Sequence, residues 1–131
     1  HEAPLEKLIT KLGLEHQVRF VGFVAQPRKF YELADVFALT SWTEAMPLCL
    51  VEAMSEGAQV VATDCDFGPR ELLEHGRFGR LVEVNNPSAV AEGIVAAILD
   101  PIEVESLVAR AAEFSPSRSL KQYLDVLGIA L

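Results

Sequence analysis

Two short apolar runs, Val36–Leu39 (VFAL) and Gln59–Thr63 (QVVAT), stand on either side of a segment led by Pro47 and closed by Gly57. Continuous apolar runs of this length read as strands covered on both faces. Proline at a helix start and glycine just past its end mark the segment between as a helix from about Pro47 to Glu56. Strand, helix and strand at this spacing demand a parallel sheet with helices packed on it.

The flanks extend the pattern. Leu5, Leu8, Ile9 and Leu12 recur at helical spacing and predict an amphipathic helix ending near Gly13. Val18–Val21 (VRFV) reads as a further strand. Pro27 opens a helix through Leu33, with Phe30, Tyr31 and Leu33 as its packing face. Pro69 starts a short helix through His75, and Leu81–Val84 reads as a fourth, weaker strand. From Pro87 onward the text is helical only: Pro87 to Leu99, Pro101 to about Phe114, and Leu120 to Leu127. The expected fold is α/β, a doubly wound parallel sheet with a helical C-terminal tail that crosses the sheet edge or reaches a neighbouring domain. Residues 1–131 are expected to be a single partial domain, with a core over 1–99 and tail helices over 100–131. The opening His1-Glu2-Ala3-Pro4 reads as the interior of a longer protein.

Eleven basic against nineteen acidic residues leave a net charge of −8. A nucleic-acid backbone asks for a basic face, so no nucleic-acid partner is expected. A single phosphate held by backbone amides is still allowed. Cys49 and Cys65 lack metal spacing and read as reduced thiols of a cytoplasmic protein. No apolar run approaches the roughly 20 residues of a membrane span. His1, His16 and His75 read as solvated, Arg70 and Arg77 as surface residues, and Glu71 as a first-turn carboxylate favoured by its helix dipole. Trp42 either lines a pocket or closes the core. No Ser-His-Asp or Cys-His arrangement, G-x-G-x-x-G or P-loop is present.

Ligands of open α/β sheets bind beyond the carboxyl ends of the strands, which directs attention to Gly22–Gln26, Thr40–Met46 and Thr63–Gly68. Leu48–Met54 (LCLVEAM) is apolar around the helix except at Glu52. A carboxylate in a buried helix needs a specific partner. With Pro47 at the first helical position, the amides of Leu48 and Cys49 are left to face an anion. Glu44 and Glu52 would repel a phosphate but accept hydrogen bonds from hydroxyls. Phosphate together with hydroxyls describes a nucleotide ribose or a sugar.

Several stretches in order carry a resemblance: Leu12-Gly13-Leu14, Val18 to Gly22, Ala34 to Leu39, Ser41-Trp42-Thr43-Glu44-Ala45-Met46-Pro47, Glu52-Ala53-Met54, Gly57, Val60 to Asp64, and Gly68 to Leu73. The chain resembles, from about Leu5 to Leu99, the C-terminal Rossmann-like domain of retaining, nucleotide-sugar-dependent GT-B glycosyltransferases. These are family-four enzymes of the "glycosyl transferases group 1" type, whose hallmark is two glutamates with seven residues between. The resemblance implies that Glu52 holds ribose hydroxyls and that Glu44 faces the donor sugar near the reacting centre. Backbone groups of Ala45, Met46, Pro47, Leu48 and Cys49 would hold sugar and diphosphate, and main chain near Phe23 and Val24 would touch the base. It implies no cofactor and no metal, a UDP-, GDP- or ADP-linked sugar as donor, and a glycan or lipid-linked acceptor. It further implies an N-terminal acceptor domain as partner, and through it a cytoplasmic enzyme that can sit on the membrane surface.

Three departures qualify it. Ala45 stands where the family has Gly, narrowing the approach to the sugar. Gln59 replaces the Pro before the strand valines. The family's first strand and its G-R-x-x-x-x-K segment do not occur, so these residues alone are expected to bind donor weakly and catalyse nothing. A non-catalytic nucleotide-sugar-binding or regulatory module on the same scaffold is the alternative. A response-regulator-like domain would need an acidic cluster and a late lysine that are not legible.

Overall fold

A computed structural model describes residues 2–129. Its centre is a three-stranded parallel sheet in the order β1 (Val36–Leu39), β2 (Gln59–Thr63), β3 (Arg80–Val82). Val36 pairs with Gln59 and Leu39 with Ala62, while Val61 pairs with Arg80 and Thr63 with Val82. All five residues of β2 are buried, as expected of a central strand covered on both sides.

Alternate residues of β2 serve opposite layers. Val60 and Ala62 join the main core with Leu50, Ala53 and Met54 of α3 (Leu48–Ser55) and with Leu72 and Leu73 at α4 (Pro69–Leu72). Val61 faces the other way, against α5 (Pro87–Leu99). A Cβ added at Gly93 of that helix would lie 3.1 Å from Val61 and 2.8 Å from Val82, so only glycine permits this approach. Asn86 caps α5 by accepting from the Ala89 amide at 3.0 Å. Helices therefore cover both faces, and the doubly wound α/β expectation holds.

The tail behaves differently from the expectation. α5 lies on a sheet face rather than across the edge. The chain then passes round the end of the sheet, and α6 (Val104–Ala112) packs on α3, placing Leu107 and Ala111 in the main core. Gln59 fastens this crossing. Its side chain donates to the Ile102 carbonyl at 2.8 Å and accepts from the Ile102 amide at 2.9 Å, while its own amide donates to Asp35. The residue that replaces a family proline is thus making three bonds, and proline could make none of them.

Other expectations need correction. Val18–Val21 is not a strand, and Val18, Phe20 and Val21 are 40–52% exposed. A strand persists only as part of a ladder, and among the described residues nothing pairs with this segment. The sheet consequently has three strands rather than four. β1 is reached by α3 on one face and α5 on the other, but as an edge strand it is only half-buried, with Ala38 exposed. α1 (Glu2–Leu12) ends at Gly13 (φ 67°) as expected. α2 (Arg28–Leu33) turns only Tyr31 inward, leaving Phe30 and Leu33 at the surface. The helix begun by Pro69 stops at Leu72, because Glu74 and His75 both adopt positive φ in a 3-10 turn over Glu74–Gly76. α7 (Pro116–Leu127) completes the described helices. His1, expected in solvent, lies outside the described residues; His16 and His75 are exposed.

Candidate functional site

The loops leaving β1 and β2 meet above the sheet. Thr63, the last residue of β2, donates its hydroxyl to the Ser41 carbonyl at 2.6 Å, and Ser41 donates its own hydroxyl to Glu44 at 2.6 Å. The strand end thereby fixes the orientation of a half-buried carboxylate through one intermediary. Gly68 (φ 70°) closes the opposite side, so near that a Cβ would sit 2.9 Å from the Ala45 carbonyl and 2.8 Å from the Pro47 ring. Ala45 itself is not among the residues of positive φ, so alanine replaces the family glycine here without backbone strain. Thr43, Glu44, Ala45, Phe67, Gly68 and Glu71 border one open cleft. A second, of about 470 Å³, runs on from Gly68 past Asp64, Arg70 and His75. Arg70 forms a bidentate pair with Asp64 at its mouth.

The start of α3 differs from the sequence reading. Pro47 is the residue before the helix, with ψ 84°, rather than its first turn. The Leu48 amide is not free: it donates to the Met46 carbonyl at 2.9 Å, and the Leu50 amide donates to Pro47 at 3.0 Å. Of the two amides expected to face an anion, only that of Cys49 has no backbone acceptor among the described residues.

Glu52 is also placed differently. It is exposed, not buried, because α3 turns Leu50, Ala53 and Met54 inward and leaves Leu48 and Glu52 at the surface. Its partner is Tyr31, whose phenol donates to Glu52 Oε2 at 3.1 Å. Tyr31, Glu52, Gln26, Pro27, Arg28 and Glu56 line a cleft of about 340 Å³. Phe23 is 95% exposed and Val24 half-buried, and neither borders this cleft. Cys49, half-buried at the first turn of α3, connects the two carboxylates: burial, and then the Glu44 and Glu52 charges, push its thiol up. Both glutamates therefore act on one side chain at the head of one helix.

Burial, and then the Glu52 carboxylate that accepts its hydrogen bond, push the Tyr31 phenol up to about 12. The folded protein holds this proton more tightly than the unfolded chain does. The resulting stabilisation is complete below pH 10 and is lost as the pH rises through about 12. Alkaline titration followed by tyrosinate absorbance is expected to show a late component that Tyr31→Phe abolishes and Glu52→Gln moves to lower pH. A titration unchanged by Glu52→Gln would refute the coupling.

Trp42 lines a pocket rather than the core: it is 71% exposed beside Thr40, Thr63, Asn85 and Asn86. Arg77 is at the surface as expected, paired with Glu74 at 3.0 Å. Both cysteines are free. Among the described residues no three His, Cys, Asp or Glu side chains gather as metal ligands, and no helix is long and apolar enough to cross a membrane. Sequence reasoning missed two residues. Tyr31 looked like packing, and its polar end announces itself only once α2 lies against α3. Arg110 had no signal at all, yet it is buried and donates to the Leu72 and Glu71 carbonyls.

Residues 1–114 match the family model described as "Glycosyl transferases group 1". An uncharacterized glycosyltransferase of Haemophilus influenzae is 34% identical over 100 residues, covering 76% of this chain and 28% of that protein. The lipopolysaccharide core biosynthesis glycosyltransferase LpsE of Rhizobium meliloti is 34% identical over 109 residues, covering 83% of this chain and 31% of its own. Among solved structures, HepE of Anabaena in complex with UDP superposes with a TM-score of 0.79 at 31% identity, over 96% of this chain and 36% of HepE. The chain thus spans about a third or less of the length of each of these relatives.

Proposed function

Because the chain belongs to the glycosyl transferases group 1 family, we propose that it is the donor-binding part of an enzyme that transfers a sugar from a nucleotide sugar to an acceptor with retention of configuration. The observation that carries this reading is the placement of Glu44 and Glu52 on either side of the start of α3, Glu44 held by Ser41 at one cleft and Glu52 by Tyr31 at another. Glu52, at the rim of its cleft, accepts hydrogen bonds from the ribose hydroxyls. Glu44, oriented by Ser41, faces the donor sugar, and the backbone from Ala45 to Cys49 lies between, with the Cys49 amide available to the diphosphate. HepE has been solved with UDP and with UDP and glucose, which supports a nucleotide sugar as the donor here. LpsE acts in lipopolysaccharide core biosynthesis, which supports a glycan or lipid-linked acceptor. The acceptor is presented by a separate N-terminal domain, on the cytoplasmic side and at the membrane surface.

The test is calorimetric titration of the protein that carries this chain with UDP-, GDP- and ADP-sugars. Glu52→Ala is expected to weaken the preferred nucleotide by about 1–2 kcal/mol, roughly five- to thirtyfold. Unchanged affinity would remove the role given to Glu52. The same reading has transfer proceed without a divalent metal; turnover lost in EDTA and restored by Mg²⁺ would overturn that part. A second reading, a binding module without turnover, draws on one observation: the cations at these clefts, Arg28 and Arg70, are each already paired with carboxylates. Release of free nucleotide that depends on acceptor decides for the enzyme.

A further inference from the structure

We propose that Tyr31 is a positioning residue for Glu52, holding its carboxylate toward the cleft so that the second oxygen is presented to a ligand. The inference rests on the donor-binding reading and adds to it the residue that sets the geometry of the ribose contact.

Glu52 is exposed on a helix surface, where a glutamate samples several rotamers and loses that freedom when it binds anything. Tyr31 removes much of the freedom in advance. Its ring packs against the core and meets Phe37 edge to face, with centroids 5.4 Å apart and planes at 83°. A ring held in this way carries its hydroxyl to a fixed point, and from there it donates to Glu52 Oε2 at 3.1 Å.

The neighbouring groups leave this pair undisturbed. Glu56, one turn further along α3, is bonded to Arg28 at 3.0 Å, and Arg28 is also bonded to Glu32 at 3.0 Å. Arg28 therefore engages the other carboxylate that lines this cleft. Among the described residues Tyr31 is the one hydrogen-bond partner of the Glu52 side chain, and Oε1 is left without one. Both side chains border the same cleft. The arrangement fixes one oxygen and leaves the other for a hydroxyl donor.

Tyr31→Phe keeps the ring and its contact with Phe37 and removes only the hydroxyl. In the protein that carries this chain, titrated with UDP, GDP and ADP, Tyr31→Phe is expected to weaken the preferred nucleotide about three- to tenfold, while the variant remains fully folded at neutral pH and at the temperature of the titration. With a nucleotide-sugar substrate the loss should fall on KM for the donor rather than on kcat. In a Glu52→Ala background the same substitution should have no further effect, because there is no carboxylate left to position. If Glu52→Ala weakens binding but Tyr31→Phe does not, or if the two losses add in full, the positioning role falls and the donor reading stands. If Glu52→Ala leaves binding unchanged, or none of the three nucleotides binds, the donor reading falls and the positioning role with it.

Discussion

Arg110→Ala is expected to destabilise the protein by about 3 kcal/mol, one of the two largest effects a single substitution here should have. Arg110 is 9% exposed, and its guanidinium serves several partners at once. Its Nε donates to the Leu72 carbonyl at 2.9 Å and one Nη to the Glu71 carbonyl at 3.0 Å. These lie at the C-terminal end of α4, where the last carbonyls lack N–H donors from within the helix. The other Nη meets Glu74 at 3.0 Å and Glu113 at 2.5 Å, and the planar group lies 4.8 Å from the Phe114 centroid and 5.6 Å from that of Phe78. Leaving a buried carbonyl without a donor costs about 1–3 kcal/mol, and the lost contact with two aromatic rings adds to it. Arg110→Lys should recover less than half, since an ammonium cannot fork to two carbonyls while stacking on a ring. Urea unfolding is the measurement: the midpoint should fall with the slope unchanged. A shift below about 1 kcal/mol would mean that water or a rearranged turn satisfies these carbonyls.

Gly68→Ala should have a similar cost, about 3 kcal/mol, and should also disturb the candidate site. A left-handed backbone at φ 70° is strained for alanine, and the new methyl would meet a main-chain oxygen at 2.9 Å and a proline ring at 2.8 Å. Neither neighbour is the mobile end of a side chain, so relief requires one loop to move from the other. The loop that yields carries Ala45, next to Glu44. The variant is therefore expected to lose donor affinity beyond what its lower stability explains, when both are measured well below the unfolding midpoint. Full affinity in a folded Gly68→Ala protein would show that the two loops need not stay in register.

The parts that were legible in the sequence are those decided by a few adjacent residues. β1, α3 and β2 follow from continuous apolar runs punctuated by Pro47 and Gly57, and their parallel pairing follows from the helix between them. What eluded the sequence depends on neighbours distant in the chain. Val18–Val21 has the composition of a strand, but composition supplies no hydrogen-bond partner. α3 has an apolar residue in almost every direction, which suggested burial throughout. Yet it is only eight residues long and has one covered side, so Leu48 stays 58% exposed and Glu52 faces solvent. The partner of Glu52 lies 21 positions away, and Arg110 reaches carbonyls 38 and 39 positions away. Nothing in the local pattern around Val108 and Ala109 distinguishes that arginine from a surface one. The two glutamates of the candidate site were legible as a pair; that one is held by a serine and the other by a tyrosine was not.

β1 has a ladder on one side only, so a row of peptide groups along its outer margin has no partner among the described residues. Such a margin is a template for whatever extended backbone arrives first. Studied as an isolated polypeptide, the chain would therefore trade sample concentration against homogeneity, with self-association beginning at β1 while the well-covered β2 stays native. A short peptide in β conformation supplied in excess should occupy the margin and keep the chain dispersed. That makes this strand a handle for preparing the protein as well as a part of its sheet.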